Sequence, residues 1–434
     1  MDLTKTAETA GNLVSKFEEF SLQTEDKLPE YIKERKKKAY NNFQSWGIPT
    51  KKQEEYKYTD FSAALKKEYA IGGSSDLNTD VLKKHFYPNL EANTIIILNG
   101  IFKPEFSNIQ DKNLEVVNYA NGNAEILKKY FGTEVYTSKD PFAELNTAFA
   151  SGGVTIQVAK GKIIEKPIVI YYFSDTRTQA IMTQPRALIL VEENAQVQIV
   201  ESFHTIGDNA SFINGLTDLV LHENTLVEYY KIQNDSPGSY HIGTTVAHQE
   251  GKSVFNAAAI TLNGAITRNN LNVILNAPYS ESTFYGLYFI NGKQLVDNHT
   301  MVDHAVPNCQ SNEIYKGILD ERAVGVFNGK IIVKQDAQKT NSFQSNRNIL
   351  LSKDAVINTK PQLEIFADDV KCSHGATVGQ LDEEALFYLR SRGLSRESAI
   401  SLLLIAFARD IVEHIKIAPL QHYLNQAIEK RLGN

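Results

Sequence analysis

Glu193-Asn-Ala-Gln-Val197 returns as Glu223-Asn-Thr-Leu-Val227, an offset of 30 residues, and strand-like runs flank both copies: Ala187-Leu-Ile-Leu-Val191, Val197-Gln-Ile-Val200 and Leu226-Val-Glu-Tyr-Tyr-Lys-Ile232. Their β-branched and aromatic residues follow a period of two, the pattern of strands. The same pattern continues outward at Val154–Val158, Ile168–Tyr172, Asn272–Leu275, Gly325–Phe327 and Lys330–Val333, with Gly, Asn, Asp or Pro between the runs. No convincing amphipathic helix interrupts them. Doubly wound α/β folds and (β/α) barrels need helices between strands, so both are disfavoured. A large sandwich, a propeller and a β-solenoid remain. The offset of 30 is shorter than a propeller blade of ~40–45 residues, and a solenoid lets one apolar interior serve many short strands with Asn and Gly at its corners. The expected core is therefore a mainly-β, parallel β-helix.

The 434 residues exceed one ordinary compact core. Apolar residues make up 42% and charged residues 22%, which places the chain among globular proteins. Residues 1–70 carry 25 charged side chains, whereas the three-fold longer stretch 151–360 carries 36, so the ends and the middle are different materials. We expect an N-terminal, mainly helical region with a few strands over 1–150, a β-helix over 151–379 and a helical region over 380–434. A net charge of -6 gives no footprint for nucleic acid. The longest strongly apolar run, Ala399–Ala408, is half of the ~20 residues needed to cross a bilayer, and the charged first twenty residues lack a secretory signal, so a cytoplasmic location is expected. Cys309 and Cys372 are the only cysteines, too few for a disulfide framework or for four thiolates on a cluster. A metal held here needs ligands from a partner.

At the N-terminus, Pro29 opens a helix with Ile32, Ala39, Phe43 and Trp46 at helical spacing, and Gly47 stops it. The run Arg35-Lys-Lys-Lys38 beside Glu30 and Glu34 reads as a solvated helix face. Gly72-Gly-Ser-Ser75 reads as a loop and Thr94–Leu98 as the start of a strand. Beyond Gly379, Asp382 can cap a helix that stops at Gly393, and Ser395 a second one whose Ile400, Leu403, Leu404, Phe407, Ile411 and Ile415 form an apolar stripe. Pro419 is expected to end it, with Leu420–Leu432 as a final helix.

Cys372-Ser-His374 is the most suggestive constellation: thiolate and imidazole bind transition metals, and a C-x-H spacing on a strand puts both on one face. Two ligands cannot close a tetrahedral site, and the alternative is a buried Cys beside a hydrogen-bonded His. His299 and His304, in Asp297-Asn-His299 and Asp303-His304, are five apart and point to opposite faces of a strand, which favours structural roles. Asp368-Asp369 raises the alternative of a β-helical carbohydrate-active enzyme, but adjacent strand residues diverge. P-loop, G-x-G-x-x-G, G-x-S-x-G and H-E-x-x-H patterns are missing. The residues favour a scaffold over a self-sufficient enzyme.

Thr359–Gly379 with its Asp-Asp-Val-Lys-Cys-Ser-His-Gly-Ala-Thr-Val-Gly run, followed by Leu386-Phe-Tyr-Leu-Arg-Ser-Arg-Gly393, resembles the SufB/SufD family of iron–sulfur cluster assembly proteins. Similar stretches are Gly47–Thr59, Pro141–Asn146, Tyr315–Leu319, Phe327–Lys330 and Ala337–Asn341. The His374-Gly-Ala run resembles the SufD side, since SufB typically has His-Glu-Ala there. The resemblance implies a right-handed parallel β-helix, pairing with SufB through the β-helix ends, and docking of the ATPase SufC on the C-terminal helices that contain Leu386, Phe387, Leu389, Arg390, Leu403 and Phe407. It implies a transient iron–sulfur cluster shared with SufB, with His374 as a ligand and Cys372 beside it, and a reduced flavin as electron source at the level of the complex. Cys309 receives no role. A purely architectural β-helix that only docks SufC is a further alternative, and self-association through the open strand edge is expected when the partner is absent.

Overall fold

A computed structural model describes residues 15, 18, 19, 28–132, 140–150 and 152–432. Among the described residues the strands form two sheets, of 11 and 10 strands, and from Gln196 onward successive strands alternate between them. Gln196–Ile206 lies in one, Ser211–Leu221 in the other, Leu226–Asn234 back in the first, and so on to Val356–Ile365 and Lys371–Gly379. Each strand lies parallel to the strand one coil earlier: Val227 pairs with Val197, Phe255 with Val227 and Gln344 with Glu313. The chain is a parallel β-solenoid with helices at both termini.

The repeated Glu-Asn pair marks a corner of the coil. Asn194 and Asn224 occupy the left-handed region at φ 59° and 57°, where Asn is tolerated better than branched residues, and Asn224 Nδ2 donates to Asn194 Oδ1 at 3.2 Å. After the corner, alternate residues turn inward. Val154, Ile156, Ile170, Ile189, Val197 and Ile199 fill the lumen in the early coils. The outward faces of many strands are covered too, which is why runs such as Ile168-Val-Ile-Tyr-Tyr172 are continuously apolar.

The C-terminal helices Glu383–Ser391, Arg396–Val412 and Ala418–Arg431 follow the caps expected at Asp382 and Ser395, whose side chains accept from Glu384 N and Ser398 N. Leu404, Ala408, Ile411, Leu420, Leu424 and Ile428 are buried with the outward residues Tyr230, Ile232, Ile260 and Phe289 of one sheet. Full burial of one such aliphatic side chain is worth roughly 1.5–3 kcal/mol, so these helices are integral to the fold. Against the other sheet, Glu30–Trp46 and Pro141–Phe149 place Phe43, Phe142, Leu145 and Phe149 with Phe212 and Ile242.

Two local expectations change. Pro419 starts rather than stops a helix: it lies in the first turn of Ala418–Arg431, where its missing N–H costs no bond, and the preceding helix already ends at Val412. The basic run is not wholly solvated, because Lys36 is buried and its Nζ donates to Ala150 O at 2.9 Å. The strand expected from Thr94 spans Asn93–Leu98 and pairs in parallel with Ile168–Asp175. Antiparallel partners, Ile101–Phe102 and Leu114–Asn118, close the N-terminal ends of the two sheets. Val356–Ile365 and Lys371–Gly379 end them at the other side, each paired along one edge only.

Candidate functional site at the open end of the solenoid

The last coil presents unpaired strand edges, and its apolar side chains are uncovered: Phe366 is 63% exposed, Val378 49% and Val356 47%, with Phe343 of the preceding coil 48% exposed. An open strand edge with contiguous apolar groups is a template for another chain. His374 lies on this edge strand and is exposed. Cys372, two residues earlier and on the same face, is half-buried against the lumen, and burial raises its thiol pKa. The structure thus places both residues of the Cys-x-His pattern at the mouth of the lumen. Among the described residues, no group of three or more His, Cys, Asp and Glu side chains is arranged to hold a metal ion. Two such side chains by themselves do not complete a four-coordinate site.

Directly beneath that mouth the lumen turns polar. Cys372 is in register with Ser342, and His374 with Gln344; one coil lower, these pair with Ser311 and Glu313. The Ser342 and Ser311 hydroxyls are 2.6 Å apart, and Ser311 Oγ is 2.9 Å from His304 Nε2. Gln344 Nε2 and Thr300 Oγ1 both donate to Glu313 Oε2, at 3.0 and 2.8 Å. Burial raises the Glu313 pKa to about 7. Glycines make room for this layer: a Cβ on Gly329 would stand 2.1 Å from Gln344 Nε2, and one on Gly286 would stand 2.0 Å from the Tyr315 ring. The Gly in Phe327-Asn-Gly-Lys330 thus has a steric reason.

Sequence reading missed Gln344, Glu313 and Ser342. Counting back one coil from Cys372 and His374 would have found them, but the coil length varies: 30 residues from His374 to Gln344, 31 from Gln344 to Glu313, 28 from Phe255 to Val227. A register error of one residue turns a strand inside out.

His299 and His304 do lie on opposite faces. His304 is buried in the lumen, where burial lowers its pKa to about 4. His299 faces outward, 3.2 Å from Glu55 Oε2 and 2.9 Å from Asp297 Oδ1, in a cleft of about 300 Å³. Arg268 lies 2.7 Å from Asp297 Oδ2, donates to the Glu55 carbonyl at 2.7 Å and stacks 4.1 Å over Tyr56. This network fastens the segment Glu55–Thr59 to the solenoid. Cys309 is fully buried and its Sγ donates to Ala277 O at 3.3 Å, a packing role. Asp369 pairs with Lys339 at 2.6 Å.

Of the helical residues expected to meet a partner, Phe387 is 74% exposed and Arg390 is exposed. Leu386 is buried, Leu389 and Leu403 are half-buried, and Phe407 packs on the sheet with Lys316 Nζ 4.4 Å over its ring. Tyr388, Leu394 and Leu402 are exposed hydrophobics on the same helical region that the apolar stripe did not single out.

Comparisons with known proteins fit this architecture. Residues 173–407 match the family model "SUF system FeS cluster assembly, SufBD core domain", and residues 7–170 match "SufBD protein N-terminal region". An iron–sulfur cluster assembly SufBD family protein of Synechocystis is 35% identical over 88% of this chain and 87% of its own length. The iron–sulfur cluster assembly protein SufD of Escherichia coli is 29% identical over 89% of this chain and 90% of its own. The chloroplastic protein ABCI7 of Arabidopsis thaliana is 28% identical over 84% and 78%. No described helix is long and apolar enough to cross a membrane. By its family models, its relatives and its two-sheet solenoid, this chain belongs to the SufBD family of iron–sulfur cluster assembly proteins and is SufD-like.

Proposed function

We propose that this chain is a non-catalytic scaffold subunit that builds iron–sulfur clusters jointly with a SufB-type partner docked on its open end. The observation that carries this reading is the edge strand Lys371–Gly379, unpaired on one side, bearing exposed His374 and half-buried Cys372 among exposed apolar side chains. The cluster is cargo held between chains: His374 offers an imidazole, and the partner supplies the thiolates that two cysteines here cannot. Cys372 is the secondary ligand, since it is half-buried against the lumen whereas His374 is exposed. Without the partner, the same edge is open to a second copy of the chain.

A SufC-type ATPase is assigned to the C-terminal helices, with Phe387, Tyr388, Leu394 and Leu402 as its apolar footing; Leu386 serves the interior instead. Electrons are assigned to a reduced flavin at the level of the complex. The test is co-purification with the SufB-type and SufC-type proteins of the same organism, then anaerobic reconstitution, for the native chain and His374→Ala. A stable complex whose cluster absorbance collapses in the variant is expected. Full cluster yield from His374→Ala would remove the ligand role.

A further inference from the structure

Gln344 is 3% exposed and sits in register beneath His374 on the lumen-facing side of the adjacent strand. Its amide orientation is fixed from below. Nε2 donates to Glu313 Oε2 at 3.0 Å and lies where a Gly329 Cβ would otherwise be, at 2.1 Å. Glu313 is fully buried and is itself held by Thr300 Oγ1 at 2.8 Å. With the N–H2 side committed downward, Gln344 Oε1 is buried and has no hydrogen-bond partner. An orphaned buried acceptor forfeits its hydration without a replacement bond, so this oxygen is a feature in need of a donor.

An imidazole that ligates a metal through one nitrogen almost always donates its other ring N–H to a nearby acceptor, which fixes the tautomer and raises ligand basicity. Strand neighbours in register are ~4.8 Å apart, so a rotation of the exposed His374 ring toward the lumen brings its N–H to the next rung down. On that rung the inward residue in register is Gln344. We propose that Gln344 is the positioning residue for His374, accepting the ring N–H through Oε1 when His374 binds iron, and that Glu313 locks Gln344 in the accepting orientation. This rests on the ligand role proposed above and adds two residues to it.

The experiment uses the assembled complex with its SufB-type and SufC-type partners, loaded anaerobically and desalted, comparing the native chain, His374→Ala, Gln344→Met and Glu313→Met. Gln344→Met keeps the volume and removes the acceptor. Glu313→Met keeps the length but removes the acceptor of the Gln344 Nε2 hydrogen bond, so the amide is no longer held in the accepting orientation. Both are expected to weaken cluster retention about 10- to 100-fold with complex formation intact. The pH at which the ligated ring loses its N–H, followed in the visible spectrum, is expected to fall in Gln344→Met, a change that a purely structural role would not produce. Loss in His374→Ala with native retention and an unmoved pH profile in Gln344→Met overturns the positioning role and leaves the ligand role standing. Native retention in His374→Ala overturns both. Should Gln344→Met fail to assemble, Glu313→Met decides alone: native retention overturns the positioning role.

Discussion

Replacing Glu313 by Gln should change how stability depends on pH. Burial raises this carboxyl from its ordinary 4.5 to about 7, so between those values the folded chain holds a proton that the unfolded chain releases. The sign follows: folding is favoured by the protonated acid below about pH 4.5, and that advantage is lost as pH rises through about 7. At 1.36 kcal/mol per pKa unit, the native chain loses about 2–3 kcal/mol between about pH 5 and pH 8 through this group alone. Gln reproduces the size of the neutral acid and cannot ionise. Glu313→Gln should therefore gain about 2–3 kcal/mol relative to the native chain on going from about pH 5 to pH 8. Denaturant unfolding of both proteins at both pH values measures this, and taking the difference cancels every other titrating group. A difference of the same size at both pH values would refute the claim that Glu313 is buried without a compensating charge.

Opposite in sign are the buried histidines: burial lowers His204 to about 3 and His304 to about 4, so their neutral rings support folding above about pH 6.5 and that support is lost as pH falls toward those values. Midpoints of denaturant unfolding for His304→Gln should fall less steeply than those of the native chain between about pH 6.5 and pH 4, by up to about 3 kcal/mol in total. Arg268→Ala should cost about 3–5 kcal/mol, read by denaturant unfolding, because it leaves the buried Asp297 carboxylate with only the His299 ring and the Thr59 hydroxyl as named partners; burial opposes that charge, yet His299 and Arg268 hold its pKa down to about 2. Gly286→Ala should cost about 1–3 kcal/mol or more, since its Cβ would meet the buried Tyr315 ring, whereas Gly375→Ala on the edge strand meets nothing within 4 Å and should be neutral by the same assay.

Much of the architecture was legible because one physical rule repeats. The period-two runs and the Glu193/Glu223 recurrence reflect a coil of nearly constant length with a left-handed Asn at its corner. Asp382 and Ser395 announced two helices because a side-chain oxygen must satisfy free N–H groups there. Pro419 was ambiguous in principle, since proline both follows and opens helices. The split between interior and surface along the C-terminal stripe was not legible: Leu386 and Phe387 are neighbours of similar hydropathy, and only the docked sheet decides that one is buried and the other 74% exposed. Cys372 and His374 were found through local spacing. Gln344 and Glu313 were not, because they join the site across coils of 30 and 31 residues.

The central claim is that this chain contributes an imidazole to a cluster shared with its partner. It is tested most directly by pulsed electron paramagnetic resonance on the reduced cluster of the reconstituted complex, with ¹⁵N-histidine labelling confined to this chain. The account predicts a ¹⁵N coupling of a directly ligated nitrogen that disappears in His374→Ala. A reduced cluster without such coupling in the native complex would contradict it.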